Sequence, residues 1–336
     1  MSYRKTGAAV LVCVGLLFSA CRTARPHSEA IAVFVPGIMA DSPIYAMLAE
    51  GVQAAVDAAN TTRDADSRIA LTLFEAGTNQ AEWGAQLTAL AAEGTYSVII
   101  SSNPSLPDLV EPIAAQFPEQ KFILLDATKA GNRQIATVCY NQREQAYVTG
   151  SIAARMSQSH QIGLIAAQEY PVMNNIILPG FQEGANAAVP GTTVDFRVIG
   201  SWSDASKGAE LAAALHNTGV DVILPICGGA AQGVISTAQE RGMFITWFDS
   251  NGFDRAPGTV ISSTIIRQAD MAEQMTAEYL AGKTAWGTAR TVGIADGFID
   301  FVQDDPRYTA TVPLSVRDEL AALIGSIQDG TLALPQ

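Results

Sequence analysis

The chain has few of the side chains that build metal centres and nucleophilic active sites. It contains only three histidines and four cysteines in 336 residues. The histidines, His27, His160 and His216, lie too far apart for the spacing of metal ligands. The sequence also has no G-x-S-x-G elbow, no Walker loop and no H-E-x-x-H motif. These absences argue against a metalloenzyme, a serine hydrolase and a P-loop NTPase.

Basic residues and long apolar runs are scarce as well. Lys and Arg total 20 against 33 Asp and Glu, which gives a formal net charge of −13 at pH 7. A protein this acidic repels phosphate groups, so we expect no nucleic-acid partner. After residue 21 no apolar run reaches the roughly 20 residues that a transmembrane helix needs.

The amino terminus has the pattern of an export signal. Arg4 and Lys5 precede a short apolar run, and Ser19-Ala20-Cys21 follows it. Small residues directly before a cysteine resemble a bacterial lipobox. We therefore expect a signal peptide over residues 1–20, acylation (palmitate) at Cys21 and a polar tether over residues 21–29. The protein would then be exported and held on a bacterial membrane, facing the periplasm, by acyl chains. The alternative is an ordinary secreted protein with an incidental cysteine.

The remaining cysteines do not indicate chemistry. Cys13 belongs to the predicted signal, while Cys139 and Cys227 each close an apolar, strand-like run. Buried, inert thiols are the expected state of both. Whether the two form a disulfide is not decided by the sequence.

Strand-length apolar runs alternate with amphipathic helical runs along the chain, which predicts parallel sheets covered by helices on both faces. A helix is predicted over Pro43–Asn60, with Ser42 as its N-cap. The run Gly228–Gly233 is interpreted as a tight strand-to-helix turn. The predicted strands are 31–35, 69–75, 97–101, 121–126, 135–139, 161–166, 193–198, 220–226, 243–249 and 259–263.

The two halves of the chain resemble each other. GAQLTALAAEG…FILLD (residues 84–126) corresponds to GAELAAALHNTG…FITWFD (residues 208–249). A duplicated α/β unit predicts two lobes facing each other across a cleft, with ligand-binding loops beyond the carboxyl ends of the strands. Asp126 and Asp249 stand at two such ends. They could equally be ordinary capping residues, since aspartate favours these places.

Several segments resemble one known family. They include IAVFVPGIMADSPIYAMLAEGVQAA, FPEQKFILLDA, YNQREQAYVTGSIAA, LPGFQEGANA, SWSDASKGAELAAAL and ICGGAAQGVISTAQERG. Together with the lipobox, they resemble the basic-membrane-protein lipoproteins, also called purine-nucleoside-receptor-like substrate-binding proteins. The resemblance covers essentially the whole mature chain.

The resemblance implies a two-lobed α/β protein of the type I periplasmic-binding-protein fold, with the ligand between the lobes. It implies a binding protein that passes its ligand to an ABC permease and ATPase, that is not an enzyme and that requires no cofactor. The expected lobes are residues 30–142 with about 266–292, and residues 143–265 with about 293–336.

Departures from the family pattern bear on the ligand. Nucleoside-binding members open the first helix with Ser-Phe-Asn, where this chain has Pro43-Ile44-Tyr45, and a second stacking phenylalanine is replaced by Ile177. A family lysine is replaced by Arg267, while Asp126 and Asp249 are kept. Within the family the arrangement is most similar to the riboflavin-uptake lipoproteins.

Riboflavin is therefore the expected ligand, since its uncharged tail suits an acidic protein better than the phosphate of a flavin nucleotide. A purine nucleoside is the alternative ligand, and a nucleoside or sugar hydrolase using paired carboxylates is a remote one. Aromatic groups would stack on the ring, with Trp83 as a further wall residue, while amides and carboxylates would bind heteroatoms and hydroxyls. The candidate ligand-binding residues are Asp41, Tyr45, Asn103, Asp126, Tyr140, Asn141, Met173, Asn174, Ile177, Trp202, Trp247, Asp249 and Arg267.

Overall fold

The computed structural model describes residues 29–335. Cys21 and residues 22–28 of the expected tether lie outside this part of the chain. Two six-stranded sheets form the framework. The first has the spatial order β11-β5-β4-β3-β1-β2 and consists of β1 (Ala30–Val35), β2 (Ala70–Glu75), β3 (Val98–Ser102), β4 (Lys121–Leu125), β5 (Ile135–Tyr140) and β11 (Ala289–Val292). The second has the order β12-β10-β9-β8-β6-β7 and consists of β6 (Gln161–Ala166), β7 (Thr193–Val198), β8 (Val222–Ile226), β9 (Phe244–Trp247), β10 (Val260–Ile266) and β12 (Ile299–Phe301).

Helices cover both sheets. They are α1 (Pro43–Asn60), α2 (Gln80–Ala92), α3 (Leu106–Gln116), α4 (Gln142–Met156), α5 (Leu178–Ala188), α6 (Ala205–Asn217), α7 (Ala231–Arg241), α8 (Gln268–Leu280), α9 (Pro306–Thr311) and α10 (Leu314–Gln328). A π-helical segment, Met173–Ile177, leads into α5. Strand pairs are parallel except β10 with β12. The central strands β1 and β3 are buried along their whole length, as expected for strands covered on both faces.

The predicted α/β architecture of two parallel-sheet lobes is confirmed. The helix over Pro43–Asn60 is also confirmed. The tight turn after β8 is confirmed over Gly228–Ala230, whereas the predicted residues up to Gly233 already belong to α7. Ser42 occupies the N-cap position, but its side chain makes no capping hydrogen bond. The strand predicted to reach Asp249 ends at Trp247, because Asp249 adopts a left-handed conformation that leaves the ladder. The short strands β11 and β12 were not predicted, since each is too short to show periodicity.

The chain passes from one lobe to the other after β5, after β10 and between β11 and β12. These three crossovers are tied together by hydrogen bonds. The Asn141 N–H donates to the Val292 carbonyl at 2.8 Å, and the Arg267 N–H donates to the Phe298 carbonyl at 2.9 Å. The Glu144 carboxylate accepts from the Ile294 N–H at 2.8 Å, so the start of α4 is fixed to the third crossover.

Cys139 and Cys227 are free thiols and do not form a disulfide. Cys227 is buried, and burial raises the pKa of its thiol to about 12, which keeps it protonated. Cys139 is only half-buried, so the expectation of a buried thiol is wrong for this residue. The sequence missed this because β5 ends at the gap between the lobes, where one face of the strand is open.

Helices α4 and α5 approach each other through glycines. A Cβ atom on Gly150 would lie 2.0 Å from the Phe181 carbonyl oxygen, and one on Gly184 would lie 1.9 Å from the Tyr147 carbonyl oxygen. Backbone atoms therefore meet where any larger side chain would force the helices apart. This packing fixes α4, which carries part of the site described below, to the second lobe.

We expect Gly150→Ala to destabilise the protein by about 1–3 kcal/mol or more, because the added methyl group overlaps a backbone carbonyl. The matched control is Gly84→Ala in α2, where the new Cβ would lie 3.7 Å from its nearest neighbour. That change should be neutral or stabilising by up to about 1 kcal/mol, because alanine favours helix. Urea denaturation of the ligand-free protein measures both, and equal midpoints for the two variants would contradict the packing argument.

Candidate functional site

Two aspartates occupy matching places in the two lobes. Asp126 directly follows β4, and Asp249 lies two residues after β9, its counterpart in the second sheet. Both have positive φ, 49° and 70° respectively, which is uncommon for residues other than glycine. Such conformations tend to persist where the surrounding structure holds them for function. The left-handed turn ends each strand and places a carboxyl group at the gap between the lobes.

The two carboxyl groups lie deep in the gap without a cationic partner. Neither forms an ion pair within 4 Å among residues 29–335. Instead, the Gln142 amide donates to Asp126 Oδ1 at 3.0 Å, and the Gln145 amide donates to Asp249 Oδ1 at 3.1 Å. These are interactions between neutral donors and acids, and they leave the charge of the pair uncompensated.

Both carboxyl groups have raised pKa values. Burial, followed by repulsion from Asp249, raises the pKa of Asp126 to about 8. Burial also raises the pKa of Asp249, to about 6, against the opposing effect of the hydrogen bond from Gln145. The two carboxyl groups are therefore close enough to affect each other, and Asp126 is largely protonated at neutral pH in the absence of a ligand.

Three tyrosines lie near this acidic pair. The Tyr45 hydroxyl accepts from the Asn103 amide at 3.2 Å, and its ring covers Gly37. Burial raises the pKa of Tyr140 and of Tyr170, and the charges of Asp126 and Asp249 raise both further. The Tyr140 hydroxyl is buried and has no hydrogen-bond partner among the described residues.

A cavity of about 220 Å³ opens between the lobes at this point. One wall comes from the ends of β3, β4 and β5, and the other from the turn of helix before the π-helical segment and from that segment itself. Its lining residues are Pro104, Asp126, Ala127, Thr128, Cys139, Tyr140, Asn141, Gln142, Val172 and Ile176. The mixture of an acid, amides, one aromatic ring and aliphatic side chains is typical of a site for a small organic ligand.

Several of the predicted residues lie at or beside this cavity. Asp126, Tyr140 and Asn141 line it, and Asp249 acts on the Asp126 carboxyl from the second lobe. The charge of Asp126 acts on the Tyr45 hydroxyl, which also accepts a hydrogen bond from the Asn103 amide. The Asn141 side chain, however, is occupied as the N-cap of α4, where it accepts from the Glu144 N–H.

Other predicted residues are placed elsewhere. Met173 and Ile177 are buried in the hydrophobic core, and Asn174 is exposed. In a helical segment neighbouring residues point in different directions, which is why Ile176 reaches the cavity and Ile177 does not. Asp41 belongs to a 3-10 turn, Met39–Asp41, and its side chain lies outside the described part of the structure.

The predicted tryptophans and Arg267 also lie away from the cavity lining. Trp247 is buried against Gly252, with the Arg255 guanidinium 4.5 Å from its ring centre. Trp202 is exposed in the loop after β7. Trp83 packs in the core of the first lobe. Arg267 is exposed and forms an ion pair with Asp300 at 2.7 Å.

Sequence reasoning missed Gln142, Gln145 and Tyr170. The two glutamines are three positions apart and directly follow a strand that ends at the predicted cleft, which is the signal that could have found them. Tyr170 precedes Pro171 in an irregular segment and carries no comparable signal. Only the packing of the second lobe brings it to the acidic pair.

Two lobes, three crossovers and a polar gap between matching strand ends define the architecture of a two-lobed substrate-binding protein. A solute-binding protein of an ABC transporter system from Aeropyrum pernix K1 has the same fold, with a TM-score of 0.75 at 19% identity over 92% of this chain and 94% of that one. The chain belongs to the Bmp family, described as ABC transporter substrate-binding protein PnrA-like, whose sequence pattern matches residues 28–330.

Two relatives support this membership. The chain is 24% identical over 264 residues to the ABC transporter nucleoside-binding protein BmpA of Lactococcus lactis, covering 73% of each chain. It is 26% identical over 273 residues to basic membrane protein A of Borreliella afzelii, covering 80% of this chain and 82% of that one. The predicted family is confirmed: the chain is a substrate-binding protein of an ABC transporter, a class that binds small ligands and works with a permease and an ATPase.

Among residues 29–335, no helix is both long enough and apolar enough to cross a membrane. The same residues contain no group of three or more His, Cys, Asp or Glu side chains arranged to hold a metal ion.

The raised pKa of Asp126 predicts a pH-dependent stability. Between its unfolded pKa of about 4 and its folded pKa of about 8, the native state holds more protons than the unfolded chain. The free energy of unfolding therefore falls as pH rises through this window. We expect Asp126→Asn, which cannot ionise, to have a higher Tm than the wild type at pH 8.5 and a much smaller advantage at pH 5.

Thermal unfolding of the ligand-free proteins, followed by circular dichroism, measures this difference. Asp66→Asn, which changes an exposed carboxylate in the first lobe, is the control and should show a similar small effect at both pH values. If the Tm of Asp126→Asn exceeds that of the wild type by the same amount at pH 5 and pH 8.5, the pKa of Asp126 is not raised.

Proposed function

We propose that this protein captures an uncharged ligand with a flat ring and a hydroxyl-bearing tail, with riboflavin as the first candidate, and delivers it to its permease and ATPase. The observation that carries the proposal is the pair of carboxyl groups, Asp126 and Asp249, at matching strand ends with no cation beside them. Ligand hydroxyls can donate to these acids from both lobes at once, which draws the lobes together around the ligand.

The acidic pair argues for an uncharged ligand. A phosphate placed beside the pair would face the negative charge of Asp249 and would oppose the ionisation of Asp126. No arginine or lysine lies within ion-pair distance of either carboxyl among the described residues. Like charges in a poorly hydrated gap repel strongly. Riboflavin is therefore favoured over the flavin nucleotides.

The walls of the gap suit a flat ring. Tyr45, Tyr140 and Tyr170 provide aromatic surfaces near the carboxyls, and Val172 and Ile176 provide aliphatic ones. Stacking on an aromatic ring contributes roughly 0.5–1.5 kcal/mol per good pair beyond the burial of area. A ligand with a ring at the tyrosines and hydroxyls at the carboxyls would use both features.

A purine nucleoside is the second candidate. A relative is named as nucleoside-binding, and the cavity of about 220 Å³ is below the roughly 300–1,000 Å³ of sites that hold drug-sized ligands. A nucleoside is smaller than riboflavin and also joins a flat ring to hydroxyls. Riboflavin would require the lobes to stand further apart or its ring to extend through the open side of the cavity.

We expect wild-type protein to bind riboflavin more tightly than FMN, adenosine or guanosine in titration calorimetry at pH 7. Asp249→Ala and Tyr45→Ala should each weaken riboflavin binding by at least about fivefold, or about 1 kcal/mol. The first loses a hydrogen-bonded acid and the second a stacking surface.

Matched controls separate the site from general destabilisation. Tyr96→Ala removes a tyrosine beside the opposite end of β3, and Asp66→Ala removes an exposed carboxylate. Both should leave the affinity unchanged. Tight binding of adenosine without binding of riboflavin would transfer the assignment to a nucleoside receptor, and binding of FMN equal to that of riboflavin would contradict the charge argument.

We also propose that Cys21 carries acyl chains and holds the protein on the membrane. The support is the sequence Ser19-Ala20-Cys21 after a short apolar run, since two or more acyl chains give stable anchoring.

Expression of wild-type protein and of Cys21→Ala in a bacterial host with radiolabelled palmitate tests this proposal. The wild type should be labelled and sediment with membranes, whereas Cys21→Ala should be unlabelled. Cys227→Ala is the control and should keep the label. A labelled Cys21→Ala protein would show that the cysteine is incidental.

A further inference from the structure

The first turn of α4 contacts both carboxyl groups of the gap. Gln142 and Gln145 are three positions apart, so their side chains project from neighbouring places on one helical face. Gln142 donates to Asp126 Oδ1 at 3.0 Å. Gln145 donates to Asp249 Oδ1 at 3.1 Å and lies 3.3 Å from Thr264 Oγ1. One helical turn therefore touches the acid of each lobe.

The direction of these bonds determines where the rest of each amide points. In each pair the glutamine presents its amide N–H group to the aspartate Oδ1, which accepts the hydrogen bond. The amide oxygen then lies on the other side of the planar group. In both glutamines this oxygen, Oε1, is buried and has no hydrogen-bond partner among residues 29–335.

An unpartnered acceptor in the protein interior is costly, by about 1–3 kcal/mol. Gln145 is fully buried, so its Oε1 is not simply turned toward bulk solvent. Gln134 shows a glutamine with a structural role: its amide N–H groups donate to the carbonyls of Ala114, Phe117 and Gln120, and its oxygen is not among the buried, unpartnered atoms. The two acceptors beside the acidic pair differ from Gln134 because they have no partner, a property that they share with the buried Gln268 Oε1 at the start of α8.

We propose that Gln142 and Gln145 determine specificity, because their free amide oxygens accept hydrogen bonds from two donors of the ligand, next to the carboxyls that they hold. This inference rests on the proposed function and identifies the residues that recognise the hydroxyl-bearing part of the ligand. The side chains start about 5–6 Å apart on the helix. They therefore fit a ligand with two donors several bonds apart, as on a polyol chain or a sugar.

This arrangement selects strongly against a ligand that lacks the donors. A site built to pair with hydroxyl groups leaves its own buried polar atoms unpaired when the hydroxyls are missing, which gives much larger discrimination than the loss of apolar contact. The bare ring system should therefore bind far more weakly than the same ring with its hydroxyl-bearing substituent.

The test compares riboflavin with lumiflavin, which has the same ring without the polyol chain, in titration calorimetry on wild type and Gln145→Met. Methionine keeps the length of the side chain without its hydrogen bonds. We expect Gln145→Met to weaken riboflavin binding at least tenfold and to change lumiflavin binding by less than threefold. If wild-type protein prefers nucleosides, adenosine and adenine replace the two flavins with the same expectation.

Two further variants keep the test decisive. Thermal unfolding reports whether Gln145→Met folds. If it does not, Gln142→Met repeats the comparison of riboflavin with lumiflavin at a less buried position. Gln134→Met is the control for a lost structural amide, and it should lower Tm without changing the ratio of the two dissociation constants.

The outcomes separate this inference from the proposed function. If wild-type protein binds neither riboflavin nor adenosine better than the bare rings, the proposed function is wrong and the glutamine assignment falls with it. If the wild type discriminates and both variants weaken the two ligands by the same factor, or by none, only the glutamine assignment is wrong.

Discussion

Two acids that face one gap without a cation constrain the rest of this structure. Asp126 and Asp249 repel each other, and burial adds to the cost of their charge. The ligand-free protein keeps them in place with left-handed turns and two glutamine amides, and it holds a proton on Asp126 near neutral pH. Such a pair contributes little to folding stability. The two-lobed framework places one of these acids on each side of the gap.

The framework is duplicated, but the site is not symmetrical. The five main strands of each sheet follow the same spatial order, and the two aspartates match in place and conformation. The glutamines that hold them both come from α4, however. Gln268, which occupies the first position of α8 as Gln142 does in α4, reaches the Ser102 hydroxyl and the Ile44 carbonyl instead. The two lobes thus present similar surfaces to the gap. One crossover helix, α4, contacts the aspartate of each lobe and so joins the two surfaces.

Helix α4 connects the candidate site to both lobes. Its glycine-mediated contact with α5 fixes it to the second lobe, whereas Gln142 bonds to an aspartate that ends a strand of the first. Glu144 and Asn141 tie the same turn to the third crossover. A change in the angle between the lobes would therefore act on the contacts of α4 beside Asp126 and Asp249.

The sequence by itself determined the class of fold and the family, and it singled out Asp126 and Asp249 as candidates for the site. Apolar runs of strand length, helical periodicity and the internal repeat are local or repeated signals, and Asp126 and Asp249 stand at the carboxyl ends of two predicted strands. The tertiary structure alone decided which side chains meet in the gap. The direction in which Ile176 and Ile177 point depends on a π-helical segment that no periodicity predicts, and Trp247 lies in the core because Gly252 folds over it. Tyr170 comes from an irregular segment, and only the packing of the second lobe brings it to the acids, since contacts between distant segments leave no pattern along the chain. The two glutamines directly follow a strand, but which acid each one contacts depends on how the lobes pack.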